Sequence, residues 1–145
     1  MNKLYIAYGS NLNKEQMAYR CPAAKPLGTA TLKDWRLVFR GWPGHGVLDI
    51  EPYDGGEVPV GIWEITPACE RALNRYEGFP SLYIKRDFLV KINDKGHAKK
   101  AMAYIMVGGH TIEEPSRAYF NVCQQGYDDF GFDSKPLYDA LDLSR

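Results

Sequence analysis

Glu77 is the residue of this sequence best placed to move a proton. It lies in RYEGFPSLY, Arg75 to Tyr83, at the expected carboxyl end of a helix. There it faces the negative end of the helix dipole and has apolar neighbours, and both effects oppose ionisation. A carboxyl group lifted in this way suits a general base near neutral pH. Arg71 and Arg75, a turn and less upstream, pull the other way, and no cation follows before Lys85. A glutamate at a helix end is commonly only a solvated charge. Gly78 and Pro80 favour the functional reading here, because they let the backbone come close to a ligand.

A second stretch, YIAYGSNL from Tyr5 to Leu12, breaks an apolar strand at Gly9, Ser10 and Asn11. A strand that ends in glycine and then enters a helix presents several unpaired backbone N–H groups at one spot. With the positive helix end they favour a carboxylate or a developing oxyanion. Ser10 and Asn11 add side-chain hydrogen bonds. The same residues also suit a plain strand-to-helix turn with asparagine as cap. The segment is no nucleotide loop, since the later glycines and the lysine of those fingerprints are missing. Tyr119, in PSRAYFNVCQQGY, offers a phenol to such a site, although tyrosines of this kind more often pack half-buried. Tyr127, beside Asp128 and Asp129, is a lesser candidate.

Other chemistries find little support. His45, His97 and His110 fall in separate loops, and neither they nor the cysteines show metal-ligand spacing, so no metal is expected. No serine sits in a nucleophile elbow. Cys69 reads as a small core residue. Trp42, within Gly41–Gly46, is the tryptophan expected to touch ligand.

Several elements must position these residues. Residues 4–8 read as a buried strand. Asn13 caps a short helix over Lys14–Arg20, with Gln16 in capping-box position and Pro22 as the stop. Leu27–Arg40 is extended, and Gly41–Gly46 is a glycine-rich loop. Val47–Glu51 and Val58–Ile65 are expected to be two strands around a hairpin at Asp54-Gly55-Gly56. Thr66-Pro67 opens a helix over Ala68–Tyr76 that Gly78 terminates. Leu82–Ile92 and Ala98–Val107 make a second hairpin around Asn93–His97. Pro115-Ser116 opens another helix, with Tyr119, Val122 and Cys123 on one face and Gly126 closing it. Ser134 and Pro136 start a last helix. Six or seven strands arriving mainly as hairpins predict an α+β fold, a small mixed and mostly antiparallel β-barrel with short flanking helices.

The bulk numbers narrow the function classes. A chain of 145 residues suits one domain, residues 1–145, with a single core. Eighteen basic and eighteen acidic residues leave no net charge. No counterion release is then available to drive nucleic-acid binding. No apolar run is long enough for a bilayer, and the start lacks a signal-peptide pattern. Three widely spaced cysteines argue against a disulfide framework, so a soluble, reducing, cytoplasmic setting is expected.

Three segments then line up with a known family. YGSNL at residues 8–12, YEG at 76–78 and PSRAY at 115–119 occur in the order, and about the spacing, of the γ-glutamylcyclotransferase-like proteins. VPVGIWEIT, followed by a short helix into YEGFPSLYIKR, resembles that family as well. The family includes the AIG2-like proteins and the aminocyclotransferase of butirosin biosynthesis, and the resemblance covers residues 4 to about 127. It implies a small barrel with flanking helices, no cofactor, and release of 5-oxoproline from a small γ-glutamyl compound. By position, Glu77 matches the family's catalytic glutamate. Tyr8, Gly9, Ser10, Asn11 and Leu12 match its substrate-binding loop, and Tyr119 matches a tyrosine that helps to hold substrate or glutamate. YGSNL departs from the YGS followed by Leu-Ile or Leu-Trp of glutathione-specific relatives, which points away from glutathione.

The implied reaction needs few protein groups. The substrate's own α-amine attacks its γ-carbonyl, and tethered attack can reach effective molarities of roughly 10⁵ M or more. One carboxylate can take the ammonium proton and pass it to the leaving amine, and the donors around Gly9–Leu12 would hold either the oxyanion or the α-carboxylate. A reading from another class is a non-catalytic module that binds a small glutamyl-like acid, with Glu77 merely pairing an ammonium.

Overall fold

A computed structural model describes residues 1–145 of the chain. Six strands form one curled sheet that makes a half-barrel, and four helices flank it. The strands are β1 (Lys3–Ala7), β2 (Lys25–Trp42), β3 (His45–Ile65), β4 (Tyr83–Val90), β5 (Lys99–Met106) and β6 (Thr111–Ile112), in the spatial order β4-β5-β1-β3-β2-β6. All neighbours are antiparallel except β1 and β5, which run parallel with Tyr5 opposite Met102. The helices are α1 (Lys14–Arg20), α2 (Pro67–Glu77), α3 (Arg117–Phe130) and α4 (Lys135–Leu143). None is long and apolar enough to cross a membrane.

The hairpin expected at Asp54–Gly56 does not exist. β2 and β3 are two long arms that turn at Pro43-Gly44, where Trp42 faces His45 and Gly44 takes a φ of 75°. Proline followed by a left-handed glycine is a favourable tight turn. The Gly41–Gly46 segment is therefore a hairpin tip. Asp54-Gly55-Gly56 lies instead within β3, at a bulge where the register jumps from Lys33–Glu57 to Trp35–Pro52. Asp34 adopts a φ of 66° there, and its carboxylate accepts the Gly55 N–H at 2.9 Å. The turn-forming residues thus bend a pair of strands where the sheet curls, rather than reversing the chain.

Helix ends follow local chemistry more closely. Thr66 Oγ accepts the Cys69 N–H, and Pro67 occupies the first turn of α2. At the other end Gly78 is left-handed, with Gly78 N–H donating to the Arg75 carbonyl and Phe79 N–H to that of Asn74. This paired closure is a Schellman motif. Helix α3 ends the same way, but at Gly131 and not at Gly126. Gly126 is an interior position at which a Cβ would meet Asn13 N and Leu12 Cβ, both at 2.7 Å. Its role is to let α3 lie directly on the chain that leaves β1.

β1 is too short to pair with all of β3. It ends with Ala7 opposite Gly61, so the edge of β3 around Leu48 lacks a strand on that side. Side chains satisfy it. Leu48 N–H donates to the Tyr119 hydroxyl at 3.0 Å, the Tyr83 hydroxyl donates to the Leu48 carbonyl at 2.8 Å, and Asp49 accepts the Met106 N–H at 3.0 Å. The seam between β3 and β5 is therefore closed by tyrosines and one carboxylate, and it opens into a cavity.

Candidate active site

That cavity has a volume of about 230 Å³ and lies where β1 stops. Its wall brings together Tyr8, Gly9, Ser10 and Asn11 from the loop after β1, Glu77 from the end of α2, and Tyr119 from α3. Three segments far apart in sequence thus meet at one place. Leu12 is the exception among the expected substrate-binding residues. It is fully buried and absent from the cavity wall, with its side chain against Gly61 and Gly126. The expectation for Leu12 is corrected: an apolar side chain one step past the loop anchors it to the core.

Glu77 is the last residue of α2, set there by the Gly78 closure. Burial pushes its carboxyl up from about 4.5 to about 7, with the Arg20 guanidinium pulling it back down. Arg71 and Arg75, the cations nearest in sequence, contribute nothing to this balance. No protein group donates a hydrogen bond to the Glu77 side chain. A half-buried, unpaired carboxyl group in a cavity can exchange a proton with whatever enters.

The loop is the opposite case. Asn11 is almost wholly buried, and both ends of its amide are engaged: Nδ2 donates to the Tyr5 hydroxyl at 2.9 Å, and Oδ1 accepts from Arg20 at 2.8 Å. The Asn11 carbonyl accepts the Trp63 indole N–H at 3.0 Å. Ser10 Oγ and the Tyr76 hydroxyl are 2.9 Å apart, which links the loop to the residue before Glu77. Leu12 N–H donates to the Gly9 carbonyl, whereas the N–H groups of Tyr8 and Gly9 find no acceptor in the protein. Asn11 N–H likewise has no acceptor in the protein, so free backbone donors run from the start of the loop to Asn11. Space at Gly9 is tight, since a Cβ would sit 3.3 Å from Leu48 Cβ and 3.4 Å from the Tyr119 hydroxyl.

Sequence reasoning missed much of the wall. Six of the ten tyrosines line it; Tyr5 and Tyr83 lie at the ends of stretches read for other residues, and Tyr104 belongs to no recognisable motif. Their hydroxyls are structural: Tyr8 donates to the Tyr104 carbonyl at 2.6 Å and Tyr104 to Asn74 at 2.6 Å. Burial raises the Tyr5, Tyr8, Tyr83 and Tyr119 phenols well above their ordinary value, so all four remain neutral. The tyrosine-rich composition was the one available signal. Asp49, outside the wall on the strand next to Leu48, was missed as well, and burial lifts its carboxyl to about 6 against the two backbone N–H groups it accepts. Trp42, expected to touch ligand, is instead half exposed at the hairpin tip and lies against His110. The Pro43-Gly44 turn carries it away from the cavity. Tyr127 is fully buried with no partner for its hydroxyl, and it has no place in the wall.

Known proteins resemble this chain in sequence and in fold. Residues 5–121 match the family model described as gamma-glutamyl cyclotransferase, AIG2-like. The chain is 30% identical to the gamma-glutamylcyclotransferase of Bos taurus over 132 residues, which is 85% of this chain and 69% of that one. The Homo sapiens protein of that name is 29% identical over 132 residues, with the same coverage. Among solved structures, one of a gamma-glutamyl cyclotransferase superposes with a TM-score of 0.85 at 24% identity, covering 100% of this chain and 89% of that one. The Bacillus subtilis protein YkqA superposes at 0.81 with 20% identity, over 97% of this chain and 54% of its own. These two likenesses concern the fold, and the family match covers all three cavity segments. The chain belongs to the gamma-glutamyl cyclotransferase, AIG2-like family of enzymes.

Proposed function

We propose that this protein cyclises the γ-glutamyl group of a small γ-glutamyl amide to 5-oxoproline and releases the amine or amino acid, with Glu77 as the group that moves the proton. The observation that carries the reading is the Glu77 carboxyl. It is held near neutrality by burial, accepts no hydrogen bond from the protein, and shares a cavity with the free N–H of Gly9.

The steps follow from the chemistry of the substrate. The α-ammonium gives a proton to Glu77, and the freed amine adds to the γ-carbonyl carbon, forming the new C–N bond. The γ-carbonyl oxygen gains negative charge as the tetrahedral intermediate forms. Fixed donors at such an oxygen lower the barrier, and losing one typically costs ~3 kcal/mol. Glu77 then returns its proton to the leaving nitrogen, the original amide bond breaks, and the carbonyl re-forms. The ring nitrogen, cationic after its attack, gives up a second proton that is likewise passed to the departing amine, which leaves as an ammonium, so the proton count balances without water. A carboxyl near 7 is suited to both transfers, because it is neither too weak to accept nor too weak an acid to donate.

The tyrosines give the cavity polar surfaces without charge. Tyr119 fits a positioning role, since its hydroxyl is oriented by Leu48 N–H and lies beside Gly9. The buried thiols of Cys21, Cys69 and Cys123 are unpaired and fit a reducing cytoplasmic setting. Offering γ-glutamyl-alanine, γ-glutamyl amines and glutathione side by side, with 5-oxoproline measured, tests the function. Release from at least one of the first two, abolished in Glu77→Gln, is the expected result. No product from any of them overturns the proposal.

A further inference from the structure

Arg20 is outside the cavity wall, yet it joins the segments that build it. One guanidinium nitrogen donates to Asn11 Oδ1 at 2.8 Å and the other to Gln16 Oε1 at 2.8 Å. The guanidinium carbon lies 3.6 Å from the centre of the Tyr76 ring. These partners belong to the loop after β1, to α1, and to the last turn of α2. Tyr76 directly precedes Glu77, and its hydroxyl meets Ser10 Oγ. The loop and the helix end are therefore clasped twice, through Tyr76 to Ser10 and through Arg20 to Asn11.

We propose that Arg20 is a positioning residue of the site: it fixes the Tyr76–Glu77 helix end against the Ser10–Asn11 loop and supplies the positive field at the Glu77 carboxyl. The inference rests on the general-base reading of Glu77. Every other titratable group coupled to that carboxyl is a phenol, namely Tyr5 on β1, Tyr8 just after it, Tyr83 on β4 and Tyr104 on β5. None of them is a cation. Arg20 alone opposes the effect of burial on Glu77. Its planar fork serves two acceptors while its face covers an aromatic ring, a combination that lysine cannot reproduce although it keeps the charge.

The test compares wild type with Arg20→Met, Arg20→Lys and Arg75→Met. Glu77 is titrated by ¹³C NMR of its side-chain carboxyl, which needs no turnover, and the pH dependence of kcat/KM for 5-oxoproline release is measured alongside. In Arg20→Met the titration and the acid limb of the rate should both move to higher pH, by about half a unit or more. Arg20→Lys should leave both in place while kcat/KM falls several-fold, because charge persists without the clasp. Arg75→Met should change neither. Unchanged Glu77 titration in folded Arg20→Met overturns the proposal, and so does full kcat/KM in Arg20→Lys. A titration that moves while the rate limb stays supports the field of Arg20 and counts against Glu77 as the base. Should Arg20→Met fail to fold, Arg20→Gln removes the charge while retaining a polar partner for Asn11, and the same outcomes apply.

Discussion

Two sides of the cavity differ in how their polar atoms are employed. On the loop side, Asn11 is bonded at both ends of its amide and at its carbonyl, Ser10 meets Tyr76, and Leu12 N–H is turned back onto Gly9. On the helix side, the Glu77 carboxyl has no hydrogen-bond donor from the protein. The side chains of Ser10 and Asn11 are thus taken up by neighbouring elements, through Tyr5, Arg20 and Tyr76. The acid is the unbonded partner. Preorganisation and reactivity are thus divided between the two segments, which agrees with the need for fixed donors and a mobile proton in one reaction.

Replacing the unbonded side should have the greatest effect. Glu77→Gln preserves size and loses the proton acceptor, so turnover should drop by about 10²–10⁴. Steady-state 5-oxoproline release measures it, and wild-type turnover in the variant would remove Glu77 from the mechanism. The same substitution should alter stability with a defined sign. The folded-state value, about 7, is above the ordinary 4.5, so the fold disfavours the charged form. The protein therefore loses stability as pH rises from about 4.5 to 7, and the neutral glutamine escapes that loss. Melting at pH 8 should show Glu77→Gln several degrees above wild type, and melting at pH 4 should show no gap. A gap of equal size at both pH values would contradict the buried-carboxyl account.

Breaking the bonded side should act through structure. Gly126→Ala places a methyl against the backbone of Asn13 and Leu12. We expect a stability loss of about 1–3 kcal/mol in denaturant titration, with KM raised as the loop shifts. Unaltered stability and kinetics would mean that the loop yields easily. Tyr119→Phe should be milder. It leaves the Leu48 N–H without its acceptor, at a cost of about 1–3 kcal/mol, and lowers kcat/KM less than Glu77→Gln does. A Tyr119→Phe loss as deep as that of Glu77→Gln would give the phenol a direct part in the chemistry.

Elements whose signals are local were legible in the sequence. The cap at Thr66 with Pro67, the close at Gly78 and the cap at Asn13 are each contained within a few residues, and each appears in the structure as expected. Asp54-Gly55-Gly56 misled because a bulge and a hairpin turn draw on the same residue types. The difference lies in the partner strand, where Asp34 receives Gly55. Gly126 misled for a similar reason, since a glycine can end a helix or admit a close neighbour. Only the position of Leu12 and Asn13 distinguishes the two.

The candidate site divides along the same line. Glu77 at a glycine-closed helix end, and a strand broken at Gly9, could be read directly because caps and strand breaks are set by neighbouring residues. The cation that acts on Glu77 could not. Arg71 and Arg75 are nearer in the chain, but successive helical positions point in different directions, and the charge of Arg20 bears on the carboxyl because α1 and α2 meet beside the loop. The sequence by itself therefore determined where a strand breaks, where a helix closes and which residue types stand at those ends. The tertiary structure alone decided which tyrosines form the wall, which donors stay free, and which charge tunes the acid, because these depend on distances between segments that the chain leaves far apart.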